Sequence, residues 1–159
     1  MKRQRQRHQG AAIGLFTCAI TLVTLPSPAT AAAPAAGTCY PDTKEYRRDA
    51  TTGWIWATLW YCRTNIGAAV YEDANYQTKM ATMQTSPSWF ACYRRGAMHR
   101  GGNDVWYYTL ADLSEPAFKR RQPWGYMPAI DVAVKVHPWP GVPACPTSAF
   151  PVTVRRAPR

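Results

Sequence analysis

Short runs of aromatic and β-branched residues, separated by turn residues, dominate the chain after residue 38. Runs of this composition are typical of β-strands, and those that are apolar on both faces predict strands with few exposed positions. The predicted strands cover residues 54–62, 66–72, 80–84, 89–94 and 104–110. Turn-forming residues at 86–88 and 101–104 precede the last two of these strands.

Strict alternation distinguishes one further segment. The apolar residues Ile130, Val132, Val134 and Val136 alternate with Asp131, Ala133, Lys135 and His137. This period of two predicts a strand with one solvent-exposed face. Residues 110–119 alone favour a helical turn, which Pro116 keeps short. Short strands at close spacing therefore predict an all-β fold, either a small barrel or a sandwich.

The N-terminal segment has the three parts of a secretory signal. Basic residues open the chain, an apolar run follows at 11–25, and small residues come next. We expect cleavage at Ala29-Thr30-Ala31, with Ala31-Ala32-Ala33 as the next candidate. The apolar run is shorter than the about 20 residues that a membrane-spanning helix needs. The sequence therefore predicts a secreted protein with a signal peptide at 1–31 and no transmembrane segment in its mature form.

Composition adds a moderate basic charge. The 159 residues include 19 Lys and Arg against nine Asp and Glu, and four of the basic residues lie in the predicted signal peptide. The mature chain therefore has a formal charge of 15 − 9 = +6. Outside the cell this charge favours anionic wall polymers, whereas export removes nucleic-acid partners. The aromatic residues that would stack on bases lie mostly on predicted strands, where a small core needs them.

Cysteine number and position predict two disulfides. One of the five cysteines lies in the predicted signal peptide, which leaves Cys39, Cys62, Cys92 and Cys145. An even number in an exported chain is typical of disulfides, and four cysteines allow three pairings. Because Cys39 and Cys62 flank a predicted hairpin with its turn near residues 51–53, we expect the pairs Cys39–Cys62 and Cys92–Cys145. The sequence has no Cys-x-x-Cys pair, so we predict no metal site and no cofactor.

The mature sequence contains few candidate catalytic residues. A nucleophile needs a base within reach, and the mature chain has two histidines, His99 and His137. We interpret His99 as a solvated loop residue and His137 as the end of a strand. None of the serines lies in a Gly-x-Ser-x-Gly elbow, and paired cysteines leave no free thiol. The sequence therefore predicts a protein that is not an enzyme.

Three segments carry a family resemblance, namely residues 89–92, 101–109 and 125–132. The last of them has a Gly-Tyr-Met-Pro sequence, similar to the end of SH3 folds, where the proline opens a 3₁₀ turn before the final strand. Together the segments resemble the bacterial SH3-like (SH3b-type) domain of small secreted proteins. The resemblance implies a small SH3-like barrel that binds ligands without transforming them.

The resemblance also divides the mature chain. Residues 60–145 form the SH3-like β-domain, and residues 39–59 form an added N-terminal β-hairpin. A flexible lead-in is expected at 32–38 and a disordered basic tail at 146–159.

Aromatic residues supply the candidate binding site. A small barrel cannot bury every ring of seven Trp and nine Tyr, so we expect one face of the strand 104–110 to be outward. By alternation, Trp106, Tyr108 and Leu110 share one face, while Val105, Tyr107 and Thr109 share the other. We predict a ligand-binding surface drawn from Tyr107, Trp124 and Tyr126. The resemblance adds Trp106 and Pro128 as groove residues.

These expectations describe a secreted monomer that binds a cell-wall polymer, or an extracellular protein, peptide or glycan, through an aromatic groove. Bacterial members of the family it resembles often target the cell wall by recognising peptidoglycan peptides. The alternative is a small secreted inhibitor of an extracellular hydrolase, with residues 94–104 as the inhibitory loop. The basic runs 94–95 and 119–121 are expected to be solvated, or to hold carboxylates or phosphates of a ligand.

Overall fold

The structure, a computed structural model, describes residues 37–147. The predicted signal peptide, most of the predicted lead-in and most of the predicted tail lie outside the described residues. The strands are β1 (Cys39–Asp42), β2 (Arg47–Arg48), β3 (Ile55–Trp56), β4 (Leu59–Cys62), β5 (Ala69–Tyr71), β6 (Lys79–Thr82), β7 (Ser88–Phe90), β8 (Cys92–Arg95), β9 (Val105–Leu110), β10 (Leu113–Ser114) and β11 (Trp124–Pro128). Two short 3₁₀ helices are η1 (Pro116–Phe118) and η2 (Ala129–Asp131).

The strands form three antiparallel sheets, which confirms the predicted all-β class. The largest sheet has six strands in the order β10-β6-β5-β11-β9-β8. A second sheet has the order β1-β4-β7, and β2 pairs with β3 in a separate hairpin. No sheet in the described part of the chain closes on itself, so the closed barrel is not confirmed. Within residues 37–147, no helix is long and apolar enough to cross a membrane.

Two predicted strands are each divided in two. The segment 54–62 becomes β3 and β4, and the segment 89–94 becomes β7 and β8 with Ala91 between them. Strand β7 pairs with β4 in the three-stranded sheet, whereas β8 pairs with β9 in the six-stranded sheet. Ala91 is fully buried at this crossing. One short run of the sequence therefore contributes a strand to each of the two sheets.

The alternating segment 130–137 is not a regular strand. Its first residues lie in η2, and beyond η2 the residues Val132 and Val134 make isolated bridges to Thr64 and Gly37. The alternation correctly places Val132 inside, but Ile130 and Val136 of the same predicted face are 40% and 59% exposed. A run of partners along a neighbouring strand is missing in the described part of the chain, so the segment has no continuous buried face. The helical turn predicted within 110–119 is confirmed by η1.

Both predicted disulfides, Cys39–Cys62 and Cys92–Cys145, are present. The first joins residues that face each other in the register of β1 and β4. The second joins the C-terminal end of the described chain to β8, beside a backbone hydrogen bond of 2.7 Å from the Cys145 N–H to the Tyr93 carbonyl. The cross-links therefore fasten an early strand and the last described segment to the rest of the fold.

Strand β9 separates two apolar clusters, because its side chains point alternately to either face of the sheet. Val105 and Tyr107 belong to one cluster, and Trp106 and Tyr108 belong to the other. The predicted division of faces is confirmed. The expectation that one face is outward is wrong, because Trp54 and other residues of the N-terminal region pack into the second cluster. All residues of β9 before Leu110 are buried.

The turn before β3 carries a buried carboxylate. Asp49 is fully buried and accepts a hydrogen bond of 2.6 Å from the Tyr108 hydroxyl on β9. The same carboxylate accepts hydrogen bonds from the Thr51 N–H (2.8 Å) and the Thr52 hydroxyl. Three donors among residues 37–147 satisfy the charge, and none of the three is a basic side chain. Asp49 therefore fixes the N-terminal hairpin to β9 of the large sheet.

Histidine 137 supplies an expected pH dependence. Its Nδ1 lies 3.1 Å from the Tyr107 hydroxyl, which accepts a hydrogen bond of 2.8 Å from the Trp139 N–H. Burial, with a smaller contribution from His99, lowers the pKa of His137 below 6.5. Since the unfolded chain binds the proton first, the free energy of unfolding falls as the pH drops below 6.5 and levels off below the folded-state pKa.

Urea unfolding between pH 7.5 and pH 5 checks this expectation. One proton gives a limiting slope of about 1.4 kcal/mol per pH unit, and His137 is expected to contribute less than that. His137→Asn keeps a polar atom near Tyr107 but does not titrate, so this contribution is expected to vanish in the variant. The same slope in both proteins would assign the pH dependence to other groups.

Candidate functional site

An open cleft of about 400 Å³ lies on the face of the large sheet that meets the N-terminal hairpin. We call it the aromatic cleft. Its floor consists of the rings of Trp54, Tyr108, Trp124 and Tyr126. Its rim carries the charged side chains of Glu72, Asp73, Arg94 and Arg121. A volume of this size is in the range of sites that hold small ligands or short segments of a polymer.

The pleat of neighbouring strands builds the floor. Trp124 and Tyr126 are two residues apart on β11 and therefore point to the same face, and Tyr126 faces Tyr108 in the register of β9. The Tyr108 and Trp124 rings are stacked with centroids 5.4 Å apart, and the Tyr108 and Tyr126 centroids are 4.8 Å apart. Trp54 meets Tyr108 edge-on at 5.5 Å. These contacts hold the rings in fixed orientations.

Gly125 allows the close approach of two strands beneath the floor. A Cβ atom at this position would lie 2.3 Å from the carbonyl oxygen of Tyr71 on β5. Because β11 pairs with β5 at this point, a side chain would force the strands apart. Packing against β5 therefore requires glycine at the first position of the Gly-Tyr-Met-Pro segment.

The rim consists of two ion pairs, each formed by an arginine and a carboxylate. Arg94 lies 2.9 Å from Asp73, and its guanidinium lies 5.2 Å from the Tyr126 ring centroid. Arg121 pairs with Glu72. Burial raises the pKa of Tyr126, and the neighbouring Arg94 opposes that rise. All four charged groups are partly exposed, so their mutual attraction contributes little stability and a ligand's charges can replace either partner.

The structure brings together two of the five predicted site residues. Trp124 and Tyr126 line the aromatic cleft, whereas Trp106, Tyr107 and Pro128 do not. Trp106 donates a hydrogen bond of 2.8 Å from Nε1 to the Ala97 carbonyl. Its ring makes T-shaped contacts with the rings of Tyr71 and Tyr76. Tyr107 lies on the opposite face of β9 and belongs to the other cluster.

The prediction that these rings form an exposed surface is wrong. Trp106 and Tyr107 are 0% exposed, Trp124 and Tyr126 are 5% exposed, and Pro128 is buried. The reason is the N-terminal hairpin, whose Trp54 and Trp56 share a cluster with Trp106, Trp124 and Tyr126. The rings contribute to the aromatic cleft through their remaining exposed edges.

His99 is also placed differently from its interpretation as a solvated residue. It is 4% exposed, its Nδ1 accepts a hydrogen bond of 3.1 Å from the Gly101 N–H, and its Nε2 lies 3.1 Å from the Val105 carbonyl. This arrangement requires a proton on Nε2. With Asn103 accepting from the Val105 N–H at 3.0 Å, the ring organises the loop before β9 from inside.

The basic runs are partly engaged in ion pairs. Arg94 and Arg121 form the rim pairs, and Arg95 pairs with Asp104 outside the cleft. Sequence analysis missed Trp54, Tyr108, Glu72 and Asp73 as cleft residues. The alternation correctly places Tyr108 on the same face of β9 as Trp106. Which rings lie beside Tyr108 depends on the register between β9 and β11, and alternation alone does not define that register.

Comparison with family models, with curated proteins and with solved structures finds no match for this chain. The fold and the site define the class of the protein: it is a disulfide-bonded all-β protein. Its cleft has aromatic rings on the floor and charged side chains on the rim. Within residues 37–147, no group of three His, Cys, Asp or Glu side chains lies close enough to hold a metal ion.

Proposed function

We propose that this chain is a secreted, non-catalytic binding module and that the aromatic cleft is its binding site. The observation that carries the proposal is the combination of four aromatic rings with two exposed pairs of opposite charge in one open cleft. The exposed parts of the aromatic rings offer apolar contact to sugars or side chains, and the charges orient polar groups around them. The resemblance to bacterial SH3-like domains also supports a binding role.

The charges of the rim favour a ligand that has both a carboxylate and an amino group. Arg94 and Arg121 supply bidentate donors for carboxylates, and Asp73 and Glu72 accept from ammonium groups. Peptides of the bacterial cell wall combine both kinds of charge with linked sugars. We therefore propose a cell-wall peptide or glycan as the ligand, with the formal charge of the mature chain, 15 − 9 = +6, assisting attraction to an anionic wall.

Co-sedimentation of the oxidised protein with purified sacculi, over a range of salt concentrations, tests this function. Arg94→Gln removes a rim charge and is expected to weaken pelleting by roughly tenfold, because it removes a charge-assisted hydrogen bond to the ligand. Arg95→Gln is the matched control, since this neighbour has the same charge but lies outside the cleft. Equal weakening by both variants, or binding abolished by modest salt, would reduce the interaction to bulk charge.

A second function, inhibition of an extracellular hydrolase, is favoured by the loop between β8 and β9. Met98 is 68% exposed, while the residues beside it are held by hydrogen bonds. The Ala97 N–H donates to the Ala74 carbonyl at 2.8 Å, the Ala97 carbonyl accepts from Trp106, and the His99 N–H donates to the Asn103 carbonyl at 3.0 Å. A projecting side chain on a held backbone loses little entropy when a protein partner binds it.

Gel filtration with a serine protease that has an apolar primary pocket tests the inhibitor function. An inhibitor is expected to form a one-to-one complex without being consumed, and Met98→Asp is expected to weaken that complex at least about 100-fold, because the pocket desolvates the carboxylate. Ile66→Asp is the matched control, because Ile66 is also 68% exposed but lies in another loop. Equal effects of both variants, or no complex, would contradict inhibition through this loop.

A further inference from the structure

Three aromatic side chains lie side by side across the three-stranded sheet. Tyr40 on β1 faces Tyr61 on β4, and Tyr61 faces Trp89 on β7, in the register of the sheet. Directly opposed residues of neighbouring strands place their side chains on the same face. The Tyr40 and Tyr61 rings are stacked, with centroids 5.5 Å apart and planes 12° from parallel. We call these three residues the aromatic row, which crosses three strands and is therefore about 10 Å long.

The aromatic row is connected to the floor of the aromatic cleft. Trp89 meets Trp124 of that floor edge-on, with centroids 5.3 Å apart, and Trp124 in turn stacks on Tyr108. Tyr61 and Trp89 are partly buried and pack against the cluster that contains the rings of the cleft floor. The far end of the row therefore lies within roughly 15 Å of the cleft floor, a distance that a single polymer chain can span.

Tyr40 offers an open ring face at the end of the row. One face of its ring stacks on Tyr61, and the residue is nevertheless 38% exposed. β1 is the edge strand of its sheet, and among residues 37–147 no strand pairs with it on the side away from β4. The ring face that points away from Tyr61 therefore has no neighbouring strand beside it. An exposed aromatic face of this kind is suited to packing against the apolar face of a sugar ring.

Charged side chains accompany the aromatic row. Burial raises the pKa of Tyr61, the carboxylates of Asp42 and Glu45 raise it further, and Arg47 lowers it, so all three charges act on this ring. Arg47 pairs with Glu45 at 2.5 Å, and its guanidinium lies 5.8 Å from the Trp89 ring centroid. The two paired side chains are 36% and 55% exposed. A sugar hydroxyl both donates and accepts hydrogen bonds, so it can bind either member of this pair.

The outer edge of β1 does not suit the addition of a peptide strand. The Cα atoms of Cys39 and Cys62 are 4.4 Å apart, the separation of an opposed pair that exchanges no backbone hydrogen bonds. Position 41, two residues further along β1, has the same orientation, so its backbone groups also point away from β4. Pro41 has no N–H to offer there. A ligand at this edge therefore contacts side chains and not the backbone.

We propose that the aromatic row is a second binding subsite, and that the ligand is a glycan strand that reaches from the aromatic cleft to β1. One sugar ring packs on the open face of Tyr40, and its hydroxyls bind Arg47 and Glu45. A carboxylate on another sugar of the strand binds Arg94 in the cleft. The inference rests on the proposed wall-binding function and narrows its ligand from a peptide or glycan to a glycan. Two linked subsites bind a long strand more tightly than a short one, because the second contact forms within the same complex.

Wall glycan fragments freed of their peptides are the probes, because alternate sugars of these fragments carry a carboxylate. Isothermal titration calorimetry of the oxidised protein compares a disaccharide with an octasaccharide. The octasaccharide is expected to bind at least about tenfold more tightly, since it alone is long enough to contact both subsites. Equal affinity of the two fragments for the wild-type protein overturns the inference, and this comparison requires no variant.

Tyr40→Ala removes the open ring face. It is expected to weaken binding of the octasaccharide by about fivefold, the loss of one aromatic contact, and to leave the disaccharide in the cleft unaffected. Tyr40→Phe keeps the ring and is expected to bind as the wild type does. Tyr46→Ala is the matched control, because Tyr46 is 71% exposed in the same N-terminal region but lies outside the row.

The outcomes separate this inference from the function on which it rests. Equal losses in Tyr40→Ala and Tyr46→Ala overturn the second subsite. Binding of the free wall peptide without binding of either glycan also overturns it, while wall binding stands. The wall-binding function fails by a different result, namely no pelleting with sacculi or equal weakening by Arg94→Gln and Arg95→Gln.

Discussion

Replacing Cys92 and Cys145 together by alanine is expected to lower the free energy of unfolding by about 4 kcal/mol, the largest effect among the substitutions considered. The disulfide closes a loop of 53 residues, and its removal restores the freedom of that loop in the unfolded chain. In the folded state it also releases the last described segment from β8, where the Cys145 N–H donates a backbone hydrogen bond to the Tyr93 carbonyl.

Urea unfolding of the oxidised protein measures this effect, with the other disulfide as the internal comparison. Cys39–Cys62 closes a shorter loop of 23 residues, and its replacement by two alanines is expected to cost about 3 kcal/mol. The test is which of the two disulfides costs more free energy of unfolding when it is removed. A larger loss at the shorter loop would assign the stabilisation to native packing around Cys39 and Cys62 and not to loop closure.

Asp49→Ala is expected to lower the free energy of unfolding by about 3 kcal/mol. The substitution leaves the buried Tyr108 hydroxyl, the Thr51 N–H and the Thr52 hydroxyl without their common acceptor, and each unsatisfied group costs about 1 kcal/mol or more. Burial first, and the hydrogen bond to Asp49 second, raise the pKa of Tyr108 well above 10.0, so the hydroxyl remains a donor at ordinary pH.

A double-mutant cycle with Tyr108→Phe separates two contributions of Asp49 to stability. One is its hydrogen bond to Tyr108 on β9, and the other is its hydrogen bonds to Thr51 and Thr52 within the turn. A coupling of about 1–2 kcal/mol between the two positions is expected, since they share a buried hydrogen bond to a charged group. Asp42→Ala is the control, because Asp42 caps a turn through the Lys44 N–H near the surface and is expected to cost under about 1 kcal/mol. Additive effects at Asp49 and Tyr108 would show that the hydrogen bond does not hold the hairpin.

Much of the fold follows from local signals in the sequence. The aromatic run 104–110 is β9, the glycine turn before it has Gly102 at a positive φ of 73°, and the hairpin between Cys39 and Cys62 correctly gives the disulfide pairing. These features depend on residues that are close along the chain or on the pairing that one hairpin imposes.

The remaining features depend on contacts between distant segments. The hairpin that covers Tyr108 and Trp124 comes from residues 47–56, and nothing in the apolar pattern of β9 shows which segment covers it. For the same reason the rings predicted as a surface are buried, and the charged rim combines Asp73 with Arg94 across 21 positions. Alternation defines faces, whereas the identity of what lies on a face depends on the packing of the whole chain.

Ala91 bears on how far the two sheets can move against each other. Because a single buried residue separates β7 from β8, the chain has no slack at the point where it passes from the three-stranded to the six-stranded sheet. A hinge needs several residues that absorb changes in backbone angle, and this crossing offers none. This crossing therefore supplies no hinge between the two sheets, and under the proposed binding function we expect adjustment to a ligand to be confined to side-chain rotamers.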